Sequence, residues 1–302
     1  MSAKLLEVEH VTHYHYAAPV DLAQHLAYLR PRDDATQQVQ DFALQVIPAP
    51  VHERNGPDRL GNSRCFFTVV APHRELRVRA TSRVRVTDAA AFDPGATLPW
   101  EAVRERLRYV AGTPFEPANE FVFASPHVPL LPALRELALP SFTPGRPVAE
   151  AAIELMARVH AAFSYRTAST DVDTPLAEVL ATRVGVCQDF AHVMIGALRG
   201  MGLAARYVSG YLLTHAPDAG ARGAPMLGAD ASHAWVSVWC LMADGSAARW
   251  LELDPTNNVL PGSGHVRLAI GRDYSDVTPL RGVIRGGGEH RLEVRVATRQ
   301  AA

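Results

Sequence analysis

Apolar and polar residues alternate with period two through much of the first 90 residues. The clearest stretch places apolar residues at Leu76, Val78 and Val84 between charged residues. This pattern is typical of a strand with one buried face and one solvated face. Because no helical stretch separates these strands, residues 1–90 are predicted to form an antiparallel all-β domain. The side chains predicted to face solvent are Arg77, Arg79, Arg83 and Arg85.

The pattern changes after residue 90. Prolines interrupt residues 91–145, which are predicted to form a helical connector. Residues 146–302 contain two stretches with helical spacing of apolar residues, and the second begins at Cys187 and ends near Gly200 or Gly202. Short strands follow around 205–212, 232–239 and 250–254, with a last strand near 292–296. These elements predict an α+β unit in which a buried helix packs on a small antiparallel sheet.

Cys187 lies in the first turn of the predicted buried helix, two residues after Gly185. Free backbone N–H groups and the positive end of the helix dipole meet at this position. Both stabilise a thiolate, which is the nucleophilic form of cysteine. The alternative is that Cys187 simply fills space in the core, as most free cysteines do.

Two later residues favour catalysis. His233 begins one predicted strand, and Asp254 ends the next, because the following Pro255 cannot continue a ladder. A helix followed by two adjacent antiparallel strands can bring a thiolate, a base and an orienting carboxylate together. Each residue alone has an ordinary structural explanation. The order Cys, His, Asp on these elements predicts a hydrolytic triad.

The motifs around these residues resemble the transglutaminase-like superfamily, which is papain-like in the broad sense. The matching segments are 185–192 (GVCQDFAH), 232–235 (SHAW) and 253–257 (LDPTN). The chain also resembles a bacterial branch with its own N-terminal β domain, through 12–16 (THYHY), 29–32 (LRPR), 58–62 and 271–277 (GRDYSDV). The resemblance implies a papain/transglutaminase-like core preceded by that β domain. It also implies Cys187 as nucleophile, His233 as general base and acid, and Asp254 as orienting carboxylate.

Such a site would act on peptide, isopeptide or side-chain amides through a thioester acyl-enzyme. Water as acceptor gives a cysteine protease or amidase, which is the expected activity. The alternatives are an amine acyltransferase and a non-catalytic binding module. The N–H of Cys187 is the first expected oxyanion donor, with Tyr165, Gln188 or Trp235 as candidates for the second. Residues 215–230, just before His233, are predicted to form a loop or lid over the site.

The composition limits which partners and cofactors the protein is expected to have. The net charge of −1 gives no reason to expect a nucleic acid, and 3 scattered cysteines make neither a disulfide framework nor a zinc pair. No cofactor and no metal are expected. His10, His13 and His15 have no acidic or cysteine partner at a spacing typical of a metal site, and they are interpreted as part of a solvated strand. No signal peptide and no long apolar span are visible, so a cytoplasmic protein without membrane contact is expected. The oligomeric state is open.

Overall fold

The computed structural model describes residues 3–112, 114–213, 226–228 and 232–301. It has the expected α+β architecture, with two antiparallel sheets and a set of short helices. The helices are α1 (Trp100–Arg106), α2 (Pro132–Ala138), α3 (Val148–Ala162), α4 (Leu176–Thr182), α5 (Cys187–Gly200) and α6 (Tyr274–Val277). The strands, numbered in chain order, are β1 (Ala3–Ala27), β2 (Gln37–Ile47), β3 (His52–Pro57), β4 (Ser63–Val69), β5 (His73–Thr87), β6 (Ser164–Tyr165), β7 (Val184–Gly185), β8 (Ala205–Leu212), β9 (His233–Cys240), β10 (Arg249–Leu253), β11 (His265–Gly271), β12 (Leu280–Gly286) and β13 (His290–Gln300).

The N-terminal sheet is built around the long strand β1. Its main path runs β2-β5-β1-β4-β3, and every pairing is antiparallel. Along β5, Leu76, Val78 and Val84 are fully buried, whereas the alternate arginines are exposed. The predicted register is therefore confirmed, since a slip of one residue would have exchanged the two faces. The exposed set is Arg77, Arg79, Arg83 and Arg85.

The end of the chain belongs to this first sheet as well. Strands β12 and β13 both pair antiparallel with β1, on its second and first halves respectively. The predicted catalytic unit of 146–302 is therefore too long, because its last two strands complete the N-terminal sheet. Alternation shows that a segment such as 290–300 is a strand, but backbone hydrogen bonds to β1 decide which sheet it joins.

The core that holds the candidate site packs α5 against a four-stranded sheet in the order β10-β9-β8-β11. Most of the circumference of α5 is buried. Asp189 closes its first turn by accepting a hydrogen bond from the Val186 N–H at 2.8 Å. Gly185 makes room for that carboxylate, because a Cβ at this position would lie 2.7 Å from Asp189. None of the described helices has the length and apolar character needed to cross a membrane.

The two sheets meet through buried contacts. Tyr211 and Val266 of the core sheet pack with Leu6 and Val84 of the N-terminal sheet. His10 of β1 also hydrogen-bonds the Tyr211 hydroxyl through Nδ1 at 3.0 Å. The predicted loop over residues 215–230 lies outside the described residues apart from 226–228.

Candidate active site

Cys187 is the first residue of α5 and is half-buried. Its thiol lies near the start of β9. The Sγ atom is 3.9 Å from the carbonyl oxygen of Ser232, the residue that precedes this strand. Within the described part of the chain, the N–H groups of Cys187 and Gln188 have no backbone acceptor. They are two of the free donors that a helix presents at its N-terminus, and they are available to a negatively charged atom bound there.

His233 and Asp254 form a buried pair. Nε2 of His233 donates to Oδ2 of Asp254 over 2.9 Å, and both side chains are inaccessible to solvent. Burial lowers the pKa of His233, but the charge and hydrogen bond of Asp254, together with Cys187, outweigh burial and raise it to about 10. Burial conversely raises the pKa of Asp254, yet His233 holds it well below the ordinary range. The pair is therefore stable as imidazolium and carboxylate.

Asp254 is held by further donors that the sequence did not single out. Oδ2 also accepts from Asn257 Nδ2 at 2.9 Å and from His265 Nε2 at 3.3 Å. Oδ1 accepts from the backbone N–H groups of Thr256 and Asn257 at 3.0 and 3.2 Å. Asn257 belongs to the LDPTN motif and could have been proposed from it. His265 comes from β11, and no sequence signal links it to Asp254.

The other ring nitrogen of His233, Nδ1, lies beside a glycine. Nδ1 is buried and has no hydrogen-bond partner of standard geometry among the described residues. Cys187 nevertheless lies close enough to raise the pKa of the imidazole, so we describe the pair as a contact rather than a formed hydrogen bond. A Cβ at Gly228 would lie 2.6 Å from Nδ1. Asn257 fixes the turn that carries this glycine, because its Oδ1 accepts from the Leu227 N–H at 2.8 Å.

The three candidates for a second oxyanion donor differ in their surroundings. Trp235 donates its indole N–H, the single donor of its side chain, to Glu252 at 3.2 Å, and its role as an oxyanion donor stays a prediction. Gln188 donates from Nε2 to the Val172 carbonyl at 3.1 Å. Tyr165 pairs with Gly185 on β7, the strand that precedes α5. The roles of Gln188 and Tyr165 stay predictions.

Tyr207 of β8 is a buried neighbour of the thiol that sequence analysis missed. Burial raises its pKa well above the ordinary value, and the nearby Cys187 adds to this effect. The Tyr207 hydroxyl is therefore neutral. Burial raises the pKa of the other two cysteines, Cys65 and Cys240, to about 12.

Similarities to known proteins agree with this architecture. Residues 6–85 match the bacterial transglutaminase-like N-terminal region, and residues 136–255 match the transglutaminase-like superfamily. An uncharacterised protein of Mycobacterium tuberculosis is 40% identical over 289 residues, covering 94% of this chain and 88% of that one. Another from Mycobacterium leprae is 31% identical over 298 residues, covering 96% and 97%.

A solved structure shares the fold. A candidate cysteine protease from Cytophaga hutchinsonii superposes with a TM-score of 0.72 at 19% identity, covering 100% of this chain and 92% of that one. At 19% identity, this similarity is evidence for the fold only. The sequence matches and the arrangement of α5 on its sheet lead to one conclusion: the chain belongs to the transglutaminase-like superfamily and carries the bacterial transglutaminase-like N-terminal region.

Proposed function

We propose that this protein is a cysteine hydrolase of peptide, isopeptide or side-chain amide bonds, with Cys187, His233 and Asp254 as its catalytic triad. The observation that carries the proposal is the buried 2.9 Å hydrogen bond between His233 and Asp254, with the thiol on the other side of the imidazole. A base oriented by a carboxylate and in contact with a thiol is the arrangement that nucleophilic acyl transfer needs. A binding module has no need for such a buried pair.

The reaction would proceed in two steps. In the first, the Cys187 thiolate attacks the amide carbon, and the imidazolium of His233 gives its proton to the leaving amine as the C–N bond breaks. A thioester and a neutral imidazole remain. In the second, His233 takes a proton from water, the resulting hydroxide attacks the thioester, and the acid is released with regeneration of the thiolate–imidazolium pair. Asp254 would keep its charge throughout and accept the hydrogen bond from Nε2 of His233.

The N-terminus of α5 would stabilise the oxyanion formed in both steps. Its donors would be the N–H groups of Cys187 and Gln188, which have no backbone acceptor among the residues that the structure describes. Removing one such donor costs about 10²–10³-fold in turnover in related chemistry.

The experiment is a turnover assay that separates water from an amine as acceptor. Wild type and Cys187→Ala are incubated with a library of glutamine-containing and isopeptide-linked peptides, with and without hydroxylamine. We expect free acid from wild type and nothing from Cys187→Ala. Cys65→Ala, which removes a buried thiol remote from the triad, is the matched control and should keep full turnover.

Two results would contradict the proposal. If wild type forms hydroxamate with hydroxylamine but releases little free acid without it, the protein is an amine acyltransferase. If wild type and Cys187→Ala are equally inactive on every peptide, and Cys187 is no more reactive toward iodoacetamide than Cys65, the binding-module alternative is correct.

A further inference from the structure

Two histidines and a glutamate converge on the outer face of the N-terminal sheet, away from the triad. His13 and His15 are alternate residues of β1 and therefore project from the same face. Glu75 of β5 lies directly across from His15 in the strand register. One ligand atom from each of the three side chains lies within 4.8 Å of the other two.

We propose that His13, His15 and Glu75 form a binding site for one divalent transition-metal ion such as Zn²⁺. Nε2 of His13 lies 3.3 Å from one Glu75 oxygen, and Nδ1 of His15 lies 3.6 Å from the other. Bonds of about 2.0–2.2 Å in tetrahedral geometry place neighbouring ligand atoms about 3.3 Å apart. The three side chains therefore need only small rotations to share one ion, with water completing the coordination.

The register of the sheet explains why the sequence concealed this site. The histidines are two residues apart, but their acidic partner lies about 60 residues later in the chain, on another strand. Sequence spacing therefore offered no third ligand, and the histidines were interpreted as a solvated strand face. The antiparallel pairing of β1 with β5 supplies that ligand from a rigid element on the same face.

The charges around the cluster favour a nitrogen-binding metal over a hard cation. Arg77 lies across from His13 on β5, and Arg291 lies across from His15 on β13. Glu293 offsets part of this charge by pairing with Arg291 at 2.9 Å. Ca²⁺ and Mg²⁺ prefer several oxygen ligands, whereas two of the three groups that converge here are imidazoles and the carboxylate of Glu293 is paired with Arg291. Imidazole nitrogens suit Zn²⁺, Cu²⁺ or Ni²⁺, so selectivity for such ions over Mg²⁺ follows.

The test measures Zn²⁺ binding by isothermal titration, in a Cys187→Ala background that removes the thiol as a competing ligand. We expect one Zn²⁺ per chain, with an affinity at least tenfold weaker in His13→Ala, His15→Ala and Glu75→Gln. His52→Ala is the matched control, because it removes an exposed histidine from another strand of the same sheet and should leave the affinity unchanged. Bound Co²⁺ should show a visible spectrum that His13→Ala abolishes.

Binding should also raise the melting temperature, because an ion held by β1 and β5 favours the folded state. This rise should be seen with Zn²⁺ but not with Mg²⁺, and it should vanish in the His13→Ala, His15→Ala double variant. Equal Zn²⁺ affinity in the parent, the double variant and His52→Ala would overturn the proposal. The result does not depend on whether Cys187 is catalytic, because the background lacks the thiol.

Discussion

Replacing Asp254 with asparagine tests the coupling between the carboxylate and the thiol. Asparagine keeps the shape, and its oxygen can still accept from the backbone N–H groups of Thr256 and Asn257. Its NH₂ group then takes the place of Oδ2, which accepts from His233 Nε2 and Asn257 Nδ2. Both hydrogen bonds are lost, because all three groups are donors. The negative charge that favours the imidazolium is lost, while the burial that disfavours it remains.

The size of the effect follows from the pKa of His233. Its rise from 6.5 to about 10 corresponds to roughly 5 kcal/mol in favour of the imidazolium. Because His233 is only 1% exposed, solvent does little to screen this interaction. Without the Asp254 charge, burial should bring the pKa of His233 below its ordinary value. The imidazole would then be neutral at pH 7 and could not stabilise a thiolate. Loss of turnover should approach about 10⁴-fold, as in other triads.

The assay needs no substrate. Carboxamidomethylation of Cys187 by iodoacetamide is followed by mass spectrometry of its peptide between pH 5 and 10, with Cys65 and Cys240 as internal references. We expect wild type to react at pH 6 and Asp254→Asn to react there at least 10²-fold more slowly, because only a thiolate is alkylated. Asp244→Asn, an exposed change of the same kind, should behave as wild type. A folded Asp254→Asn protein with an unchanged pH profile would refute the reasoning.

Three further predictions follow from neighbouring contacts. Gly228→Ala should abolish turnover without unfolding the protein, because the new methyl group would lie 2.6 Å from His233 Nδ1 and the backbone φ of +84° is strained for alanine. The peptide assay measures the turnover, and circular dichroism checks the fold. His265→Ala should slow alkylation of Cys187 at pH 6 roughly tenfold, since one hydrogen bond to a charged group is lost, and His265→Gln should restore part of it. Burial lowers the pKa of His10 to about 4, so the unfolded chain binds one more proton than the folded chain at this residue between pH 6.5 and 4. Urea denaturation should show that His10→Gln loses about 3 kcal/mol less stability over that range than wild type does.

The sequence predicted the parts of the site that depend on local pattern. The start of α5 at Cys187 and the end of β10 before Asp254 follow from helical spacing and from Pro255. Contacts made by distant strands could not be predicted. His265 reaches Asp254 from β11, and Glu75 reaches His13 from β5, because sheet register brings them there. The strand position of Trp235 was visible in the sequence, but the hydrogen bond from its indole N–H to Glu252 was not.

The N-terminal sheet takes part in building the candidate site, through β11. The side-chain amide of Gln37 donates to the Arg267 carbonyl and accepts from the Arg267 N–H, both at 2.7 Å. It makes the hydrogen bonds that a neighbouring strand would make at this edge of the sheet. Asn62 does the same for Ile270 at 2.8 Å. Both side chains come from the first domain, and β11 begins at His265, which donates to Asp254. Residues of the N-terminal domain therefore help to position the strand that carries His265, one of the donors that hold Asp254. This gives a physical reason for the two matched regions to occur in one chain, because the first supports the strand that completes the hydrogen bonding of the second.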